Sequence, residues 1–345
     1  VQVDDFDYEL PPARIANVPA EPRDAARLLV YDRSTRAIVH AAFTDLPALL
    51  RAGDLLVRND TRVRPWRLCG QRRSGGKVEC LLLRLQGAAG AGYLKPSKKL
   101  RPGELLPLEG GRVRLLLRRD LGGGQWEFDL QVDGGEVEAV VEQCGRAPLP
   151  PYIGRDGSED PRVDRERYQT VYARTAGAAA APTAGLHFTA ALFKGLAARG
   201  VAVADVTLHV GEGTFAPLRT TVVEQHRMHA EVYQLPAAAA AAVRAARVRA
   251  GRVVAVGTTS CRTLETCALP DRTVRAGHGS TDLFLYPGKD FRVVDALLTN
   301  FHLPRSTLLM LVAAFAGREA ILAVYRQAIA QGYRFYSYGD AMLIT

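Results

Sequence analysis

The residues best suited to chemistry in this 345-residue chain are its histidines, six of seven of which lie beyond residue 180. Imidazole both takes and gives a proton near neutral pH, so histidines placed at the ends of elements read as acid–base machinery. His187 lies in 183–189 (TAGLHFT), His209 in 207–211 (TLHVG) and His302 in 299–306 (TNFHLPRS). In the last of these, the apolar stretch 295–299 (DALLT) delivers Asn300 and His302 to a helix start at Pro304 and Ser306. Polar side chains at a strand end, facing a helix N-terminus, make an anion- or ligand-binding corner. An ordinary strand–turn–helix with a satisfied histidine has the same pattern. The recurrence of such corners favours the functional reading.

Other motifs fit known chemistries poorly. Residues 226–231 (HRMHAE) offer two histidines and a carboxylate to a metal, but not at the H-E-x-x-H spacing, and from a single loop. Gly211-Glu-Gly lacks the third glycine of a dinucleotide fingerprint. Residues 70–77 (GQRRSGGK) carry an extra glycine for a phosphate loop, have Val78 where Ser or Thr is needed, and precede a strand. The aromatic run 333–338 (YRFYSY) reads as core, with base stacking or cation–π contact to a sulfonium as its functional alternatives. Five cysteines, none in a C-x-x-C pair, argue for reduced thiols and a cytoplasmic setting.

The elements that must position these residues alternate in type. Residues 27–31 and 55–59 read as strands, and 43–51 as a helix with Asp45 as its cap. Residues 201–210, 252–257, 282–286 and 333–338 also read as strands. The helices are 189–199, 236–250, 258–265, 307–315 and 317–331. From 69 to about 133 the character changes to short alternating runs separated by glycines, which predicts a small antiparallel barrel or sandwich. One α/β domain, open sheet or barrel, with a β domain inserted between its strands is the simplest architecture. The expected boundaries are 1–68 and 151–345 for the α/β domain and 69–150 for the insert. No stretch reads as a signal peptide, and the apolar run 306–317 falls short of a bilayer span of about 20 residues. The net charge of +9 is concentrated: 58–120 holds sixteen Lys and Arg against five Asp and Glu. Either a polyanion-binding surface or a solvated charged face follows, the latter helped by six acids in 121–150.

Eight stretches in order resemble one family: 5–12 (DFDYELPP), 59–63 (NDTRV), 179–189 (AAAPTAGLHFT), 208–215 (LHVGEGTF), 226–231 (HRMHAE), 256–265 (VGTTSCRTLE), 298–308 (LTNFHLPRSTL) and 335–344 (FYSYGDAMLI). They are similar to the S-adenosylmethionine:tRNA ribosyltransferase-isomerases of queuosine biosynthesis. The resemblance runs nearly end to end and is weakest in the insert. It implies an α/β barrel-like catalytic domain with a smaller β-barrel, and transfer of the ribosyl part of S-adenosylmethionine to 7-aminomethyl-7-deazaguanine in a tRNA anticodon. Epoxyqueuosine forms, and adenine and methionine are released. It also implies no metal or cofactor beyond the co-substrate and a monomer, and a tRNA substrate gives the basic charge of the insert a fitting partner. Glu212 departs from the family pattern and receives no inherited role, Trp66 departs from it in a way that bears on packing beside the insert, and the untypical segment between Leu264 and Leu283 leaves His278 without a counterpart.

The implied chemistry needs a base for the C5′ protons made acidic by the sulfonium, an acid for departing adenine, and a neutral amine. With the resemblance, His187 and His209 are the candidates for acid and base, in either order. His302, Glu231 and Glu265 are candidates for orienting substrates or accepting protons. Arg262 and the neighbouring helix N-terminus suit the methionine carboxylate. Asn300, Ser337 and Asp340 are candidate ribose or base contacts, and Arg62, Thr183, His229, Thr258, Thr259 and Tyr338 complete the expected substrate-binding set. Two rival readings remain at this point: a tRNA methyltransferase using the same co-substrate, and a non-catalytic RNA-binding module.

Overall fold

The structure, a computed structural model, describes residues 1–155, 160–211, 218 and 220–345. Glu212 and the other residues of 212–217 lie outside the described residues. The chain divides into two compact units. One comprises Val1–Arg62, Pro150–Gly154 and Gln169–Thr345, and the other Val63–Leu149 and Arg155–Tyr168.

The larger unit is built on a nine-stranded mixed sheet. Its strands are β1 (Arg27–Tyr31), β2 (Ile38–Ala42), β3 (Leu55–Asn59), β4 (Ala202–Leu208), β5 (Glu231–Leu235), β6 (Val253–Val256), β7 (Gly277–Thr281), β8 (Ala296–Asn300) and β9 (Ala341–Ile344). Their order is β7-β5-β4-β3-β6-β8-β9-β1-β2. β3 is central and runs parallel to both β4 and β6, and β6 runs parallel to β8. β9 returns antiparallel beside β8, and β5 antiparallel beside β4. The inner strands carry consecutive buried apolar residues, Leu55–Val57, Val253–Val256 and Ala296–Leu298, because both faces are covered. Leu55 and Val57 point into one core with Val253, Ala255 and Leu297, while Leu56 points into the other with Val254 and Leu298.

Helices cover both faces. α1 (Ala190–Ala198) packs on the Leu56 side through Leu192 and Leu196. α2 (Ala237–Val248), α4 (Thr307–Ala316) and α5 (Arg318–Ala330) contribute to the other core, together with Leu264 of α3 (Gly257–Thr266). The start signals act as expected: Thr189 Oγ1 accepts from Leu192 N at 3.2 Å, and Ser306 Oγ accepts from Leu309 N at 3.2 Å. Among the described residues no single helix is long and apolar enough to cross a membrane.

The smaller unit is a closed six-stranded barrel in the order Gln125–Val132, Ala89–Lys95, Lys77–Gln86, Arg67–Gln71, Leu105–Leu108, Val113–Gly122. Alternate residues fill it, among them Leu68, Val78, Cys80, Leu82, Leu94, Leu106, Leu115, Trp126 and Phe128. Gly70 sits where a Cβ would come within 2.2 Å of Pro107 O, so the strand crossing there requires glycine. The phosphate-loop look-alike 70–77 is therefore a hairpin.

Four local expectations are corrected. The unit boundary falls at Val63 and not at 69, and 155–168 returns to the smaller unit. There Arg165 donates to the carbonyls of Glu142 and Gln143, and Arg155 pairs with Asp164. Asp45 does not cap the 43–51 segment. It lies inside a 3-10 turn, and its carboxylate accepts from Ala42 N at 2.9 Å. Residues 282–286 form no strand, because Leu283 gives its carbonyl to Arg262 and its N–H to Thr281 Oγ1 instead of a ladder. Residues 333–338 form a loop held by Asp340, whose oxygens accept from Arg27 N and Arg334 N, and Tyr336 adopts φ +74°. The closing strand is β9.

Asp54, just before β3, ties the sheet's opposite end together. It is 1% exposed and accepts from Arg252 N (3.0 Å), Arg252 Nη2 (2.6 Å) and Arg51 N (2.9 Å). Burial alone would raise its pKa, but these donors outweigh burial and hold the carboxyl below the usual range. Asp54→Ala leaves Arg252 without its partner and is expected to cost about 3 kcal/mol in urea unfolding. A change under about 0.5 kcal/mol, the level of an ordinary surface substitution, would refute that structural weight.

Candidate active site

The C-terminal ends of β3, β4, β6 and β8 meet on one edge of the sheet, where ligand sites of open α/β sheets are built. Asn59, the last residue of β3, is wholly buried and organises that edge. Its amide nitrogen donates to Leu208 O (2.9 Å) and Thr259 Oγ1 (3.1 Å). Its carbonyl oxygen accepts from Leu208 N (3.0 Å) and Thr61 N (3.1 Å). One side chain with all its hydrogen-bonding capacity used thus fixes the ends of two strands and the first turn of α3. Next to it Asp60, 2% exposed, accepts from Thr207 Oγ1 (2.6 Å) and Arg174 Nη2 (2.7 Å).

Thr61, held through Asn59, brings its hydroxyl within 2.8 Å of His209 Nδ1. The His209 ring lies flat against Gly177, where a Cβ would come within 2.6 to 2.8 Å of three ring atoms. Only glycine leaves room for the imidazole there. Thr258 and Thr259 are buried in the first turn of α3, whose N-terminus no side chain caps. Its free N–H groups and dipole favour negative charge at the same edge.

A second cluster lies at the end of β8. Asn300, 2% exposed, accepts from Thr183 Oγ1 at 3.0 Å and donates to Tyr336 O at 3.1 Å. Its amide also faces His187 Nε2 at 3.3 Å. Burial first, and then the charges of Arg334 and Arg23, push His187 down to about 4, so the imidazole is neutral and accepts from Asn300. The turn Thr183–Gly185 packs against both β8 and α3, joining the two clusters into one site.

His302 is more deeply committed to structure. Its Nε2 pairs with Thr299 Oγ1 at 2.8 Å, its N–H donates to Tyr325 Oη at 3.0 Å, and its carbonyl accepts from Tyr8 Oη at 2.5 Å. Burial pushes its pKa down to about 3.

The carboxylates and arginine of the expected set are occupied elsewhere. Arg262 is 5% exposed and bonds Glu231, Leu283 O (3.0 Å) and Thr281 O (3.4 Å). Its charge is matched inside the protein by Glu231. Glu231, also 5% exposed, takes Gly211 N at 2.9 Å besides Arg262. Glu265 accepts from Arg292 N, Val293 N and Val294 N at 2.8 to 3.0 Å and so holds that loop. Asp340 likewise serves as a clamp, and Ser337 bonds Tyr152 Oη. Tyr338 is buried, Arg62 half-buried and His229 exposed. His226 packs edge-on to Phe284. Among the described residues no three His, Cys, Asp or Glu are grouped to hold a metal ion. Asn59, Asp60 and Thr61 received no role from the sequence, although the polar run after an apolar strand was their visible signal.

A family model described as queuosine biosynthesis protein matches residues 3–344. An Anaeromyxobacter protein (strain Fw109-5) named S-adenosylmethionine:tRNA ribosyltransferase-isomerase is 56% identical over 349 residues, covering 100% of this chain and 99% of the relative. One of the same name from Symbiobacterium thermophilum is 53% identical, with both chains fully covered. The crystal structure of S-adenosylmethionine tRNA ribosyltransferase from Thermotoga maritima superposes with a TM-score of 0.56 at 39% identity, covering 99% of this chain and 100% of the other.

The two lowered histidines set a pH dependence. With folded values near 4 and 3 against about 6.5 for a free imidazole, their contribution is fully present above pH 6.5. Below it the unfolded chain takes up protons that the folded one refuses, so stability falls with pH. His302→Gln should flatten the decline between pH 6.5 and 5 by up to about 1.4 kcal/mol per pH unit in urea unfolding, whatever it costs at pH 7. An unchanged slope would show that the imidazole is not held neutral.

Proposed function

The chain belongs to the S-adenosylmethionine:tRNA ribosyltransferase-isomerase family of queuosine biosynthesis and is an enzyme of that transferase-isomerase class, and from this premise we propose its substrates and the residues that serve them. The ribosyl unit of S-adenosylmethionine passes to the aminomethyl nitrogen of 7-aminomethyl-7-deazaguanine in a tRNA anticodon. A C–N bond forms to the amine, the bonds from the ribosyl unit to adenine and to the methionine sulfur break, and the five-carbon unit rearranges to the epoxy-cyclopentanediol of epoxyqueuosine. The electrons of the broken bonds leave with adenine and methionine, so the change balances without an external oxidant or reductant.

The observation that carries the reading is the 2.8 Å Thr61–His209 hydrogen bond, set by Asn59 beside the uncapped start of α3. An imidazole whose ring is oriented by a hydroxyl hydrogen bond beside a ligand-binding strand edge is placed for proton transfer. His209 is therefore the acid–base residue of choice. His187, neutral through burial, carries no extra proton at pH 7 and serves to hold Asn300 and Thr183 toward a ribose or base. The backbone N–H groups of α3, in place of Arg262, would receive the methionine carboxylate. The reaction as proposed uses no metal. Glu231, the one carboxylate of 226–231, is already taken by Arg262 and Gly211.

The test is a product assay with S-adenosylmethionine and tRNA bearing the aminomethyl-deazaguanine, with unmodified tRNA as control. Adenine and methionine should appear in step with a five-carbon mass gain on the modified tRNA alone, at a rate indifferent to chelators. His209→Ala should lower kcat at least about 100-fold while tRNA binding persists. S-adenosylhomocysteine as the product would instead make the protein a methyltransferase, and binding without turnover would make it an RNA-binding module.

A further inference from the structure

The strong basic excess of the insert is not a uniform surface. Along the barrel walls arginines face carboxylates: Arg118 pairs with Asp129, Arg119 with Glu127 (3.0 Å) and Arg114 with Asp133 (2.8 Å), while Arg64, before the first barrel strand, pairs with Glu138 of the helix Val137–Cys144 (2.7 Å). At one end the pairing stops. Arg73, Lys77, Lys95, Lys98, Lys99 and Arg101 are exposed, and none has an acidic partner among the described residues.

Strand register and loop contacts place these six together. Lys77 opens a strand whose Glu79 stands opposite Lys95 at the end of the next one. Arg73 lies in the hairpin turn immediately before Lys77, which is opposite Gln71. Arg72 closes the group: it donates to Lys99 O at 3.2 Å and pairs with Glu104 at 2.8 Å, tying the hairpin to the loop that carries Lys98, Lys99 and Arg101. Leu100, 8% exposed, anchors that loop in the barrel core. The nearby acids are already used, Glu79 by Arg67 and Glu104 by Arg72. Six like charges on two loops and the strand ends beside them repel one another unless an anion joins them.

We infer that this end of the barrel binds the sugar–phosphate backbone of the tRNA substrate, an inference that rests on the proposed tRNA reaction. Flexible exposed lysines recognise phosphates as point charges without reading sequence, and they supply affinity and orientation while the strand-edge site supplies the chemistry.

The test compares the full-length protein with Lys98→Ala/Lys99→Ala/Arg101→Ala, and with Arg118→Ala/Arg119→Ala as a control that removes paired charges from the same barrel. Labelled tRNA is titrated from 50 to 200 mM KCl, and turnover is followed by adenine release. The triple variant should lower the dependence of log K on log salt by about two to three, since each lost phosphate contact removes about one. The loss should fall on KM for tRNA, at least about tenfold at the lower salt, and not on kcat at saturating tRNA, while the control keeps the wild-type slope. An unchanged slope in the triple variant, or an equal loss in the control, would overturn the inference. So would acidic phospholipid vesicles binding the wild type with the same charge dependence as tRNA. A wild type that binds tRNA with the predicted slope yet releases no adenine would refute the proposed reaction and leave the backbone site standing.

Discussion

The larger unit depends on one buried carboxamide. Asn59 answers the backbone of β4 with both an acceptor and a donor, holds Thr259 at the head of α3, and receives Thr61 N. A buried polar group with a partner missing costs about 1–3 kcal/mol, so a side chain lacking either half of the amide would leave Leu208 or Thr61 unanswered. Asp would offer only acceptors, and Leu neither. The same four bonds that close the strand ends also determine where Thr61 meets His209, so folding and site geometry have a common cause here. That coupling is why the edge is rigid where chemistry requires it.

Burial sorts the titratable groups by role. His187 and His302 are surrounded by enough apolar and backbone structure to be held neutral, so each ring presents one donor and one acceptor nitrogen to its neighbours. The Glu231–Arg262 pair shows another consequence of burial. Two charges at 5% exposure cost several kcal/mol each to dehydrate, and their attraction offsets that only with further hydrogen bonds. Those bonds run to Gly211 N, Thr281 O and Leu283 O, so the pair works as a junction between β5, β7 and the loop after β4. Its value lies in holding those segments in register, more than in net stability.

Much of this was legible from residue pattern. The continuous apolar runs at 55–57, 253–256 and 296–298 announce inner strands, and Thr189, Ser306 and Gly332 mark helix ends by mechanisms local in sequence. Residues 282–286 and 333–338 misled because their alternation is equally that of a strand. What decides them is distant: Arg262 captures Leu283 O, and Asp340 accepts from Arg27 N, more than three hundred residues earlier. The site shows the same division. His187, His209 and Asn300 were visible as polar residues after apolar strands, whereas the commitments of Glu265 to 292–294 and of Arg262 to Glu231 exist only once the chain is folded. A charged residue in a motif announces that a charge is needed. It does not say whether the partner is a substrate or another part of the chain.

The barrel gives the converse case, in which charges counted from the sequence overstate what a partner would meet. Sixteen cations against five acids over 58–120 suggest a broad positive field, yet register places Arg119 opposite Glu127 and aligns Arg118 with Asp129, so the walls largely neutralise themselves. Cross-strand pairing reaches only as far as the ladder does. Beyond it, in the turn after Gln71 and the loop after Lys95, no opposing strand supplies carboxylates, and the cations stay exposed. The electrostatic character of the unit is therefore set by where its strands stop. A closed barrel has no free edges to guard, which leaves its connecting loops able to carry unbalanced charge without inviting strand-to-strand association.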